Sequence, residues 1–199
     1  MADTDIAALE QQIFELTAKL NNLRAEQSGT KVPDYTFSTT SGEVTLLDLF
    51  GEQQQLLVIH NMGQACRYCT LWADGFNGLL PHLESVLSVV LVSKDPPAVQ
   101  RTFASSRGWR FNLASHGGGA YIHEQSALAG SGNLPGAVVY KRQGDEILRK
   151  NACVFGPGDL YCAAWPLLAL AGIGEAAWTP QFRYWQQPAQ LEDGGENVL

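Results

Sequence analysis

Two residues separate Cys66 from Cys69 in the run Ala65-Cys-Arg-Tyr-Cys69. A cysteine attacks only as its thiolate, and a free thiol with a pKa of about 8.5 is mostly protonated at neutral pH. A helix N-terminus shifts that balance, because its unpaired N–H groups and its dipole stabilise an anion. Leu71, Trp72, Phe76, Leu79, Leu80 and Leu83 follow the pair at helical spacing, so the pair is expected to open a helix. Their i, i+3 spacing then puts both sulfurs on one face. Cys66 is the expected nucleophile, and Cys69, one turn further in and more buried, the resolving thiol. Arg67 would add a positive charge beside the thiolate. The chemistry this allows is attack on a disulfide or peroxide substrate, closure of a Cys66–Cys69 disulfide, and reduction by a cellular thiol.

Other side chains near the pair have two readings each. His60 ends a buried strand close to the cysteine loop; it could tune Cys66 or act as a base, or simply be hydrogen-bonded. Asp74 lies two turns beyond Cys66 and is either a proton acceptor for Cys69 or a surface carboxylate. Trp72 and Phe76 fit the apolar face of the helix and read as core, although Trp72 is close enough to the pair to influence it. Cys66 and Cys69 have zinc-ligand spacing, and Cys153 and Cys162 would be needed to complete a set of four. That second pair is spaced by nine and reads as core or half-exposed. No metal and no cofactor are expected. Gly117-Gly-Gly119, flanked by His116 and His123, lacks the Lys-Ser/Thr of a phosphate loop and reads as a turn.

The elements that must hold the pair can be read around it. Leu56–His60 is a continuous apolar run, as a strand buried on both faces requires. Val86–Ser93 is a second such strand, and Pro96-Pro97 starts another helix that ends near Gly108. Tyr35–Ser38 reads as a short strand and Thr45–Phe50 as a helical turn. Residues 109–132, rich in glycine, read as an extended loop. Ala137–Tyr140 and Glu146–Arg149 flank a turn at Gln143-Gly-Asp145, a hairpin signal. Asp159–Ala171 reads as a last amphipathic helix closed by Gly172. From Leu56 onward the order is β, α, β, α, β, β, α: an α/β domain with a central mixed sheet flanked by helices.

That order, with CxxC at the first strand-to-helix junction, resembles the thioredoxin fold. Leu134-Pro135-Gly136 stands directly before the third strand, where thioredoxin-like proteins place a cis-proline facing the cysteine pair. The resemblance therefore adds Pro135 to the expected site, as a backbone edge for an extended substrate and a shield against metal ions. The wider chain resembles a narrower group, the uncharacterised thioredoxin-like DUF899 family. The matching pieces are Val32–Phe37, Leu46–Phe50, Cys69–Gly78 and Gly108–Phe111. Departures also matter. The motif is Cys-Arg-Tyr-Cys rather than Cys-Gly-Pro-Cys, and Gly63 stands where peroxiredoxins usually have a threonine, three residues before the attacking cysteine.

At the N-terminus Ile6, Leu9, Ile13, Leu16, Leu20 and Leu23 form a heptad seam, with Asp3 or Thr4 as the expected cap and Gly29 past the end. It is either a dimerisation arm or a helix laid across its own domain. Residues 1–28 are thus read as an arm, Ser28–Lys31 as a linker, 32–185 as the domain and 186–199 as a disordered tail. The enzyme reading is a dithiol-disulfide oxidoreductase or thiol peroxidase. The alternative is a non-catalytic module that dimerises through the arm.

Bulk properties set the outer bounds. A chain of 199 residues buries roughly 70% of its unfolded surface without needing disulfides or metal. With 45% hydrophobic and 17% charged residues it is ordinary for a globular protein. A net charge of −7 argues against nucleic acid and against anionic membrane surfaces. The first residues have neither the basic stretch nor the apolar run of a signal peptide, so four cysteines point to a reducing, cytoplasmic setting.

Overall fold

A computed structural model describes residues 2–128 and 130–184; the expected tail over 186–199 lies outside them. The buried run Leu56–Ile59 becomes the middle of strand β4 (Gln55–His60), at the centre of an eight-stranded sheet. Helix α2 (Arg67–Glu84) follows, then strand β5 (Ser88–Ser93), helix α3 (Pro97–Ser106) and strand β6 (Asn112–Ser115). Strands β4, β5 and β6 are mutually parallel, in register Val58 with Val90 and Val90 with Asn112. Strand β7 (Gly136–Gln143) pairs antiparallel to β4 on the other side and turns back into β8 (Glu146–Val154). The outer positions are taken by β1 (Thr30–Val32) beside β8, and by the hairpin β2 (Thr36–Thr39) and β3 (Gly42–Thr45) beside β6. The full order is β1-β8-β7-β4-β5-β6-β2-β3.

Alternation along β4 divides the interior. Leu56 and Val58 face a core with Phe37, Leu46, Phe50, Tyr121 and Tyr140. Leu57 and Ile59 face a second core built on Trp72, Ala73 and Leu80 of α2, with Trp109, Phe155 and Trp165. Helix α2 therefore covers one face only.

Several expectations need correction. The stretch 109–132 is more than a loop. It contains β6, whose four residues extend the parallel sheet, and helix α4 (Ala120–Gln125), which buries Tyr121 and Ile122 against the first core. The expected linker at 28–31 enters β1, where Thr30 pairs with Arg149. The last helix, α5 (Ala164–Leu170), starts later than expected, because Asp159 makes a turn of its own. Its carboxylate accepts the backbone N–H groups of Gly156 (2.9 Å), Tyr161 (2.7 Å) and Cys162 (3.0 Å). Helix α1 (Ala2–Glu26) begins ahead of Asp3 and Thr4, so neither is its cap. Its seam is not laid into the domain either: Leu16 is 65% exposed and Ile13 58%.

Candidate redox site

Cys66 is the N-cap of α2, in extended backbone conformation, and its sulfur accepts the Cys69 N–H at 3.1 Å. Its carbonyl accepts both the N–H and the hydroxyl of Thr70, each at 3.0 Å, so the first turn is closed by the cap residue itself. Cys66 and Cys69 form a disulfide, with Cα atoms 5.2 Å apart. Cys66 is half-buried, whereas Cys69 is only 3% exposed. Arg67 is the first helical residue, half-buried, and no carboxylate among the described residues pairs with it.

The loop from β4 into α2 is held from three sides. Asn61 N–H donates to Val92 O at 2.9 Å, and Asn61 Oδ1 accepts Gly63 N–H at 2.8 Å. Asp95, just past the end of β5, accepts Gln64 N–H at 2.8 Å. Gly63 takes φ +116°, and a Cβ there would stand 2.9 Å from both Asp95 carboxylate oxygens. Only glycine meets both constraints. Met62 N–H in turn points at Cys69 Sγ, 3.4 Å away. Sequence reading missed Asn61, Met62 and Asp95. Of these only Asp95, following the strand and preceding Pro96-Pro97, stands where a loop-anchoring carboxylate could have been suspected.

Pro135 lies one residue before Gly136, which pairs with His60 at the end of β4. Its loop reaches the cysteine loop through Asn133, whose Nδ2 donates to Met62 O at 3.3 Å. The Pro135 carbonyl accepts Phe155 N–H at 2.9 Å. Gly136 is needed for close approach: a Cβ would fall 2.3 Å from Cys153 O and 2.4 Å from the Ala127 Cβ.

The other sequence candidates are placed elsewhere. His60 shares the sheet face of Leu56 and Val58, opposite α2, because side chains alternate along a strand. It is 2% exposed, and its Nε2 lies 2.8 Å from the Tyr121 hydroxyl. Burial, aided by the nearby His116 and Arg149, lowers its pKa to about 3. It is a neutral core histidine held against Tyr121. Burial likewise raises the phenols of Tyr121 and of Tyr140, the latter to about 12. The Asp74 carboxylate binds Arg107 and accepts Trp109 Nε1 at 2.7 Å, which ties α2 to the end of α3 and does not serve Cys69. Trp72 is buried, with ring centroids 5.5 Å from Phe155 and 6.2 Å from Tyr68. Cys153 sits on β8 and Cys162 before α5, both free thiols that burial pushes up in pKa. Among the described residues no three His, Cys, Asp or Glu side chains gather as a metal set.

A family model for bacterial proteins of unknown function matches residues 2–189, nearly the whole chain. The chain belongs to the DUF899 family. No curated protein matches it. Peroxiredoxins are among the solved structures it resembles. Peroxidoxin BcpB from Mycobacterium tuberculosis is 21% identical with a TM-score of 0.52, over 73% of this chain and 94% of that one. Reduced Prx3 from Vibrio vulnificus is 16% identical with a TM-score of 0.53, over 73% and 97%. A peroxiredoxin-like protein from Aquifex aeolicus is 19% identical with a TM-score of 0.51, over 63% and 74%. At such identity these likenesses show the fold: this DUF899 protein is thioredoxin-like. In this DUF899 chain no helix among the described residues is long and apolar enough to cross a membrane.

Proposed function

We propose that this protein is a dithiol-disulfide oxidoreductase in which Cys66 is the nucleophile and Cys69 the resolving thiol. The observation that carries the reading is the N-cap position of Cys66. Its sulfur accepts a helix N–H that favours the thiolate, and it sits within bonding reach of a buried second cysteine. In the reduced form, the Cys66 thiolate attacks one sulfur of a substrate disulfide and displaces the other as a thiolate. The Cys69 thiolate then attacks Cys66 Sγ and expels the second substrate sulfur. With two protons taken up, the substrate leaves as two thiols and the protein as the Cys66–Cys69 disulfide. A cellular dithiol returns it to the reduced form. Pro135, next to the loop that Asn133 ties to Met62, would border the substrate, its own carbonyl being taken by Phe155 N–H.

A thiol peroxidase is the second reading, and the peroxiredoxin neighbours favour it. Position 63 speaks against it. The backbone there is left-handed and Asp95 fills the side-chain space, so no threonine fits three residues before Cys66. Turnover of a model disulfide and of hydrogen peroxide, with Cys66→Ser and Cys69→Ser variants, tests both. Disulfide turnover abolished by Cys66→Ser, with mixed disulfides trapped by Cys69→Ser, is the expected result. Full activity in both variants contradicts the assignment.

A further inference from the structure

Helix α1 carries an apolar seam and leaves it in water. Exposure along it runs from 37% at Leu20 to 65% at Leu16, and from residue 5 onward only Thr17 and Arg24 are even half-buried. The end of the helix is fixed to the domain, since Asn151 Nδ2 donates to Arg24 O at 3.1 Å. Beside that end lies an open apolar groove of about 460 Å³, lined by Leu57, Ile59, Leu83, Val139 and Phe155. Among the described residues Arg24 is the only charged one in its wall. The guanidinium stands 6.0 Å over the Tyr161 ring, and no carboxylate among the described residues pairs with it. An uncovered seam, an open groove and a cation without a counter-charge thus meet in one place.

Charge along the seam says what the partner is. In heptad terms Asp5 and Lys19 occupy g positions, and Glu10 and Arg24 occupy e positions. In a parallel pair of helices, each g residue faces the e residue five further on in the other copy. Asp5 would then face Glu10, and Lys19 would face Arg24, so both contacts would be between like charges. In an antiparallel pair e residues flank e residues and g residues flank g residues, so Glu10 and Arg24, of opposite charge, share the e side. Ile6 then packs on Leu23, Leu9 on Leu20 and Ile13 on Leu16, over about 26 Å of helix. Glu15 is on the back of the helix, and Asp5 and Glu26 lie at the two ends of the g side, both outside the seam residues.

We infer that two copies of this chain pair through antiparallel α1 helices. The Ile6–Leu16 half of one copy lies beside the apolar groove of the other and brings Glu10 to its Arg24. Three heptads are the short limit for a coiled coil alone. This pairing is independent of the thiol chemistry proposed above.

Sedimentation and light scattering on the full chain under a thiol reductant test it. The wild type is expected to be a dimer and Leu16→Asp a monomer. Glu10→Lys decides the direction of the helices, because Glu10 is exposed and supports nothing in its own domain. Antiparallel pairing predicts that it raises the dimer Kd about tenfold at low salt, an effect that salt reduces. A parallel pair predicts tighter association, since the introduced ammonium would face Asp5 of the other copy. A monomeric wild type, or a Glu10→Lys dimer as tight as the wild type or tighter, overturns the inference.

Discussion

Cys69 donates its backbone N–H to the sulfur of Cys66 at 3.1 Å, while its own sulfur faces the Met62 N–H at 3.4 Å. Each sulfur of the pair thus meets one main-chain donor, Cys66 within the helix start and Cys69 from the loop before it. Main-chain donors are fixed by the fold and do not titrate. On the proposed redox reading, the main-chain support of the two sulfurs rests on the start of α2 and on the loop 61–66 that leads into it.

That dependence makes Gly63 a sensitive position. With φ +116° and the Asp95 carboxylate in its side-chain space, Gly63→Thr must strain the backbone and displace Asp95 from Gln64 N–H. A loss of about 1–3 kcal/mol in urea unfolding is expected. Slower alkylation of reduced Cys66 is expected with it, because the loop that aims the cap is disturbed. A variant of unchanged stability and thiol reactivity contradicts the role assigned to this loop.

Gly136→Ala should be more damaging still. The added methyl group would lie 2.3 Å from Cys153 O and 2.4 Å from the Ala127 Cβ, and one of those contacts is to main chain that cannot rotate away. The β7–β8 pairing must shift at the end that carries Pro135. A drop of about 3 kcal/mol or more is expected by denaturant titration, or failure to accumulate folded protein. Ala137→Gly, at the next position along the strand, serves as the milder control.

Stability should fall on mild acidification because of His60. Its folded pKa of about 3 lies below the unfolded value, so the unfolded chain binds a proton that the folded chain refuses between those two values. Stability from this group is therefore full above about pH 6.5 and is lost as pH falls towards 3. Between pH 7 and pH 5 the loss from His60 alone is about 2 kcal/mol. His116, also lowered by burial, to about 4, acts in the same direction. Unfolding titrations at the two pH values measure the loss, and His60→Phe should remove the part due to His60. Equal pH dependence in the variant would show that His60 is not the group responsible.

The site was legible where pattern and chemistry coincided. Leu71, Trp72, Phe76, Leu80 and Leu83 carry a helical period that starts at the cysteines, so the helix and its cap could both be read. The face on which His60 sits could not. Leu56, Leu57, Val58 and Ile59 are all apolar, so a strand buried on both sides gives period two no phase. Strand β6 was missed because Asn112–Ser115 is short and half polar, and α4 because six residues after three glycines show less than two turns of periodicity. The seam of α1 shows the opposite limit. Its spacing is unmistakable, but periodicity describes a stripe and not what covers it. The loop anchor Asp95 acts through a contact between chain segments 31 residues apart, Gln64 with Asp95, which no local pattern encodes.

The central claim is that Cys66 and Cys69 form a working redox couple, and their equilibrium with glutathione tests it most directly. Thiol alkylation followed by mass spectrometry reads the fraction of each cysteine that is oxidised at a set poise. The account predicts a reversible Cys66–Cys69 disulfide with a potential between roughly −120 and −270 mV, the range of known dithiol oxidoreductases, while Cys153 and Cys162 stay reduced. A pair that remains as free thiols even under strongly oxidising poise would contradict it.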